Sequence, residues 1–358
     1  MVNVNRKTLQ DALVNLNQSI TKPTPDPLIG VFSGDTLSLY QEGYLSVWES
    51  VPLEDVQDMK SATFAVDGTD FHSVVSRLSS ETLSLKMNEK SMTVRGGRSS
   101  VRMAYLESFV TDIPEASVNG MVEVPKDFFN SLISARRFMA KSEHQPNLTC
   151  VYFKHRGGVM DVTSTDGIHL YSRSFKLDTV YGSDFEFDVM VPDTSIDPLS
   201  KIFSGSSCKI SISNRGHIYI ESDTGTKVLT SAFNGQFPYD AVKTLVNNQG
   251  NLLFKSDKKD FINSLQLGDN ISDGDKISLS YDQGDITLNF SDIRMESEIF
   301  LENVKETNSF DTFSVATRLL LDCIAPLGDD LIVRQQESGM LWMTSDGKTI
   351  TLLHKFGI

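Results

Sequence analysis

The chain has 358 residues, 39% of them apolar and 22% charged, and its 47 acidic against 33 basic side chains give a formal charge of −14. That composition excludes a disordered chain, and the length calls for two or three domains at roughly 100–200 residues each. A net charge of this sign argues against a nucleic-acid partner unless the basic residues are gathered in one place.

No apolar run nears the roughly 18 residues of a membrane span. Met1-Val2-Asn3-Val4-Asn5-Arg6-Lys7 lacks the apolar stretch of a signal peptide, so a cytoplasmic protein with no membrane partner is expected. Cys150, Cys208 and Cys323 are too widely spaced for a disulfide framework or a zinc site and are expected to be reduced.

In chain order, Lys7-Thr8-Leu9-Gln10-Asp11-Ala12-Leu13 reads as an amphipathic helix, with Thr8 as an early capping or dipole-stabilising residue. Phe64-Ala65-Val66-Asp67 then reads as a strand leading into a helix that carries Phe71, Val74, Val75 and Leu78. Period-two alternation over 82–87 and 91–95 predicts strands, followed by the turn Gly96-Gly97. The same order recurs twice. Lys126-Asp127-Phe128-Phe129-Asn130-Ser131-Leu132 and Lys259-Asp260-Phe261-Ile262-Asn263-Ser264-Leu265 agree at six of seven positions, with Asp127 and Asp260 in the same capping or dipole-stabilising role. Val189-Met190-Val191-Pro192-Asp193 leads into Ile196, Leu199, Ile202 and Phe203, and Phe313-Ser314-Val315-Ala316 into Leu319, Leu320, Cys323, Ile324 and Leu327. Further strands are predicted over 209–213, 217–221, 276–281, 285–290 and 341–344. Two signatures in one order, three times over, define a repeat. The fold class is α+β, with three domains at 1–118, 119–248 and 249–358, each with two helices and two small antiparallel sheets.

Three motifs carry a resemblance: Thr165-Asp166-Gly167-Ile168-His169-Leu170, Gly235-Gln236-Phe237-Pro238-Tyr239-Asp240 and Val94-Arg95-Gly96-Gly97-Arg98-Ser99. With the repeat, they make the chain resemble the bacterial sliding clamp, the β subunit of DNA polymerase III, essentially end to end. The second motif has its last two residues exchanged relative to the family's Gly-x-Phe-Pro-Asp-Tyr. The resemblance implies a homodimeric ring of six domains around duplex DNA, with the helices of each domain facing the hole. It also implies a DNA polymerase and a clamp loader as partners, and either a bacteriophage-type or a divergent chromosomal clamp.

On that reading, DNA contacts are expected at Lys22, Arg77, Arg136, Arg137, Lys141, Ser142, Lys201 and Arg318, through sequence-independent phosphate contacts. The acids, Glu49 and Glu54 among them, belong to the outer wall. The family's peptide-binding cleft maps onto Leu148, Thr165, Gly167, His169, Leu170, Pro238, Val242, Met340, Leu352 and Leu353, with Phe356 beside them. The tail, Thr351-Leu352-Leu353-His354-Lys355-Phe356-Gly357-Ile358, lacks the Met-Pro-Met type common in the family, and Pro146-Asn147 replaces its paired aromatics. The dimer interface maps onto the strand 97–106, with Arg98, Val101, Arg102 and Met103, facing the strand 294–301, with Glu296 and Glu298; the interface helix over 260–267 looks short.

Chemistry finds no support in the residues. The six histidines make no His-x-x-x-His spacing, and there is no Gly-x-Ser-x-Gly elbow or Walker loop. Asp166 and His169 lack an accompanying nucleophile. Asp269-Asn270-Ile271-Ser272-Asp273-Gly274-Asp275 lacks the last glutamate of an EF-hand. No catalytic residue, metal or cofactor is therefore expected. The rival to a ring is a clamp-fold protein that binds or sequesters replication proteins as a monomer.

Overall fold

The computed structural model describes residues 1–19, 27–56, 61–106, 118, 120–142, 144–177, 180–181, 185–271, 276–291 and 296–356. Lys22 lies outside them.

The first third comprises β1 (Val2–Asn5), α1 (Arg6–Leu16), β2 (Pro27–Ser33), β3 (Thr36–Glu42), β4 (Leu45–Glu54), β5 (Ala62–Asp67), α2 (Gly68–Arg77), β6 (Thr82–Met87), β7 (Ser91–Gly96) and β8 (Ser99–Ala104). The second comprises β9 (Met121–Val124), α3 (Phe128–Arg136), β10 (Cys150–Arg156), β11 (Val159–Thr165), β12 (His169–Lys176), β13 (Val180–Tyr181), β14 (Phe187–Pro192), α4 (Asp193–Phe203), β15 (Cys208–Ile212), β16 (Ile218–Ser222) and β17 (Lys227–Thr230), followed by α5 (Tyr239–Asn247). The third comprises β18 (Asn251–Asp257), α6 (Lys258–Ile271), β19 (Lys276–Asp282), β20 (Asp285–Ser291), β21 (Glu296–Phe300), β22 (Val304–Thr307), β23 (Phe313–Ala316), α7 (Thr317–Ile324), β24 (Asp330–Gln335), β25 (Leu341–Thr344) and β26 (Thr349–Leu353). Each third is thus a strand and helix, a three-stranded meander, a return strand, a second helix and three closing strands, with β13 and β22 as extra short strands before the return strand of the second and third. The fold is α+β in three repeats.

The return strand enters each core through the same residue. Val66, Val191 and Val315 are all fully buried, and each stands just before its second helix. The first helices of the first and third repeats begin without a loop, so the residue that ends the preceding strand caps them. Asn5 Oδ1 accepts from the Thr8 amide at 3.1 Å, and Asp257 Oδ1 accepts from Lys259 and Asp260 at 2.9 and 3.1 Å. Thr8 and Asp260, expected in a capping or dipole-stabilising role, thus donate their amides to the cap, while Asp260 also places its carboxylate in the first turn of α6. The helix expected to be short runs over Lys258–Ile271, and α5 is a further helix that the sequence pattern did not show.

Contacts divide the chain into two compact units. One comprises Met1–Phe129, Leu177–Phe185 and Thr194–Ala232; the other comprises Asn130–Lys176, Glu186–Asp193 and Phe233–Ile358. The first holds a 13-stranded sheet whose main path is β13-β9-β15-β16-β17-β4-β1-β6-β7-β8, with β3, β2 and β5 continuing from β4. The second holds a nine-stranded sheet, β14-β10-β11-β12-β26-β25-β24-β18-β22, and a four-stranded one, β21-β20-β19-β23. No helix among the described residues is long and apolar enough to cross a membrane.

Glu49 departs from its expected place on the outer wall. It is 8% exposed, because alternation along β4 turns it towards α1 with Val47 and Val51. Asn15 Nδ2 donates to its Oε1 at 2.8 Å, and Thr226 supplies a further hydrogen bond. Burial outweighs these bonds and raises the carboxyl from 4.5 to about 7. The native state therefore holds this proton more tightly than the unfolded chain. The resulting stabilisation is complete below pH 4.5 and is lost as pH rises towards 7. At about 1.4 kcal/mol per pKa unit this is on the order of 3 kcal/mol. Glu49→Gln should flatten this dependence and raise the denaturation midpoint at pH 8, as read by urea unfolding at pH 5 and pH 8.

Candidate peptide cleft and edge strands

The repeats are joined by strand ladders. β17 of the second repeat pairs antiparallel with β4 of the first, with Leu229 opposite Ser46 and Thr230 opposite Leu45. β26 of the third pairs with β12 of the second, with Leu352 opposite Leu170 and Leu353 opposite His169. In each case the last strand of one repeat meets the last meander strand of the repeat before it.

The second joint carries the apolar site. Leu170, Val242, Val246, Trp342 and Leu352 form one buried cluster, against which Phe237, Leu245, Met340 and Ile350 pack half-buried. A row runs straight across three strands, since Leu352 lies opposite both Leu170 and Trp342, and α5 lies over it with Val242 and Val246. Leu170, Val242, Met340 and Leu352, expected in the peptide cleft, lie together in this cluster, and Trp342, Val246, Phe237 and Ile350 join them without having been expected there. The spacing of Trp342 two residues after Met340, at the start of β25, was the available signal for the tryptophan.

Polar groups fix α5 at both ends. Asp161 on β11 is 5% exposed and accepts from Tyr239 Oη at 2.5 Å, Lys243 Nζ at 2.8 Å and Ser174 Oγ at 2.5 Å. Burial opposes its ionisation, but these donors outweigh burial and hold the carboxyl below its ordinary value. At the other end, Trp342 Nε1 donates to the Val246 carbonyl at 2.9 Å, while Gln336 Nε2 donates to Leu245 at 2.7 Å and also to Asn248. These are carbonyls that a helix C-terminus leaves without internal partners. Tyr152 stacks on Phe237, just ahead of α5, with ring centroids 4.8 Å apart.

The Thr165–His169 turn is built from its own side chains. Asp166 Oδ1 accepts from the amides of Ile168 and His169, and Thr165 Oγ1 donates to the His169 carbonyl and accepts from the Gly167 amide. Gly167 has φ 90°, which a side chain would strain. Burial works against the Asp166 charge, yet the His169 imidazole and the two amides hold its pKa low. His169 turns inward, 3% exposed, with its ring 4.6 Å from Phe138, whereas Ile168 is 51% exposed. Thus His169, expected to line the cleft, supports it from beneath. Leu353 is fully buried, Leu148 is half-buried and Pro238 is exposed ahead of α5. Phe356 leaves this region, its amide donating to Ser314 on β23.

Two edges remain. Among the described residues β8 pairs with β7 and β21 with β20, and neither has a second neighbour. Val101 and Phe300, 36% and 58% exposed, stand on these edges, and Leu267 on α6 is 53% exposed. Arg98, Glu296 and Glu298 are exposed; Arg102 is exposed as well and donates to Ser91 Oγ. Met103, expected on the outward edge, points into the covered face at 9% exposure.

Residues 123–239 match the family model for the central domain of the DNA polymerase III beta subunit. A beta sliding clamp of Lactococcus lactis is 24% identical over 256 residues, which span 66% of this chain and 64% of the relative's length. The sliding clamp of Bacillus subtilis superimposes with a TM-score of 0.85 at 16% identity, over 100% of this chain and 99% of that one. The Helicobacter pylori beta clamp, solved with a DNA ligase peptide, gives 0.84 at 15% identity over 100% of both chains. The central third of the chain thus matches the beta-subunit family, and the fold of the whole chain is that of the beta sliding clamps.

Within this clamp fold, Arg77, Arg137, Lys141, Ser142, Lys201 and Arg318 are exposed. Arg136 is tied up instead, its Nε and Nη2 donating to the two Asp193 carboxylate oxygens at 2.5 and 3.1 Å. Arg137 lies 3.6 Å from Asp322.

Replacing Asp161 by Asn removes the charge that Lys243 and Tyr239 share. The expected loss is about 1–3 kcal/mol, with faster amide hydrogen exchange along Tyr239–Asn247. Because the Asp161 pKa is depressed, this difference should be full at neutral pH and shrink once the pH falls below the ordinary 3.8.

Proposed function

We propose that the chain is a DNA sliding clamp: two copies close head to tail into a ring of six repeats around duplex DNA. The ring tethers a DNA polymerase and other proteins through the α5 cleft. The observation that carries this reading is the joint rule. Last strand meets last meander strand at β17–β4 and at β26–β12, which leaves β8 of the first repeat and β21 of the third as the two unmatched members. Pairing β8 of one copy with β21 of another applies the rule a third time. Doing so in both directions closes the assembly by two-fold symmetry and covers both of these edges.

Backbone pairing and burial of Val101, Phe300 and Leu267 would hold such a seam. Ion pairs of Arg98 or Arg102 with Glu296 or Glu298 would add only about 0–1 kcal/mol each. Exposed Arg77, Lys141, Lys201 and Arg318 suit loose phosphate contacts, which a sliding ring requires. The half-buried Phe237, Met340 and Ile350, with exposed Pro238 and Ile168 nearby, offer a short peptide a few apolar anchors. The peptide-bound H. pylori clamp supports this use of the fold. Domain limits near 118 and 248, a clamp loader as partner and a cytoplasmic site of action belong to the same proposal.

Light scattering should give twice the 39.8 kDa chain mass, and Phe300→Asp should give monomers that fold normally by circular dichroism. A wild type that stays at the single-chain mass across micromolar concentrations would favour the monomeric interaction protein. Loaded on nicked circular DNA, the protein should remain bound through gel filtration and be lost when the circle is linearised. The pair Lys201→Glu and Arg318→Glu should reduce retention several-fold.

A further inference from the structure

The repeat that builds the cleft at the second joint builds a related one at the first. In place of the row Leu170–Leu352–Trp342, the first joint has Ser46–Leu229–Tyr219, in the same register across the corresponding strands. The row begins with a serine where the second joint has a leucine. Around Ser46 and Leu229 lies a cleft of about 610 Å³, a volume typical of ligand sites.

Aromatic groups make one wall. Tyr40 and Trp48 are cross-strand partners with ring centroids 5.0 Å apart, and Tyr44, at the β3–β4 turn, is 59% exposed. Opposite charges mark the rim. Arg215, from the turn between β15 and β16, is exposed, and Glu42 lines the cleft with an oxygen 3.2 Å from Tyr40 Oη.

We propose that this first-joint cleft is a second peptide-binding site, for a short segment that carries an aromatic anchor beside an acidic residue. The ring of the segment packs on Tyr44, Trp48 and Leu229, and its carboxylate meets the planar fork of Arg215. Glu42 accepts a backbone N–H of the segment. A nucleic-acid strand fits less well, because Arg215 is the one Lys or Arg among the described lining residues and Glu42 would repel phosphate. The site depends on neither ring closure nor the α5 cleft.

The chain has two tryptophans, one at each joint, so 5-fluorotryptophan labelling of the full-length protein gives one fluorine resonance per site. Trp48→Phe assigns them. Titration with acetyl-Gly-Asp-Phe-Gly-amide should shift the Trp48 resonance saturably and leave Trp342 unmoved. Affinity should fall at least tenfold with Lys in place of Asp in the peptide, and likewise in Arg215→Glu, a substitution in an exposed turn. Tyr44→Ala should weaken binding too. A Trp48 resonance that stays fixed to millimolar peptide, a response undiminished in Arg215→Glu, or tighter binding of a dT12 oligonucleotide would each overturn the proposal.

Discussion

The constraint on which this structure turns is the unpaired edge of a β-sheet. Every strand at a sheet boundary presents backbone N–H and C=O groups that seek partners. A repeat of this kind has such a boundary at the end of its meander and another at its last strand. Joining them in series removes the edges two at a time. The main-chain ladders β17–β4 and β26–β12 are therefore also the places where side chains from two repeats come together, and both clefts lie at such joints.

At the second joint, packing and polar pairing have separate tasks. Leu170, Leu352 and Trp342 supply apolar area, but area alone would let a covering helix slide. Asp161 at one end of α5, with Trp342 and Gln336 at the other, give it directional bonds that fix its register. The exchange of Tyr239 and Asp240 relative to the family pattern then has a local meaning, because it sets a phenol where the buried carboxylate can accept its proton. The first joint has a different solution. Its buried carboxyl, Glu49, lies between Asn15 of the first repeat and Thr226 of the second, with neutral partners in place of a lysine.

The repeat, the fold class and most strands were legible in the sequence because periodicity reports which face of an element is covered. The apolar cluster was partly legible for the same reason: Leu170, Val242 and Leu352 sit at alternating or helical positions. What escaped depends on how elements meet. Thr8 and Asp260 have the chemistry of caps, yet strand and helix join without a loop, so Asn5 and Asp257 take that place. Glu49 reads as a surface acid until the phase of β4 is known. Met103 and His169 likewise follow from strand phase, a one-residue matter that composition does not carry. The α5 helix follows a loop and is held by distant side chains, so its own sequence says little about it.

The placement of Glu49 gives the two joints different mechanical characters. Near neutral pH the carboxyl inside the first joint is close to half-protonated, whereas Asp161 beside the second remains a settled anion down to acid conditions. Opening the first joint therefore exposes a carboxyl that gives up its proton more readily in water, so the cost of opening it falls as the surroundings turn from acid to neutral.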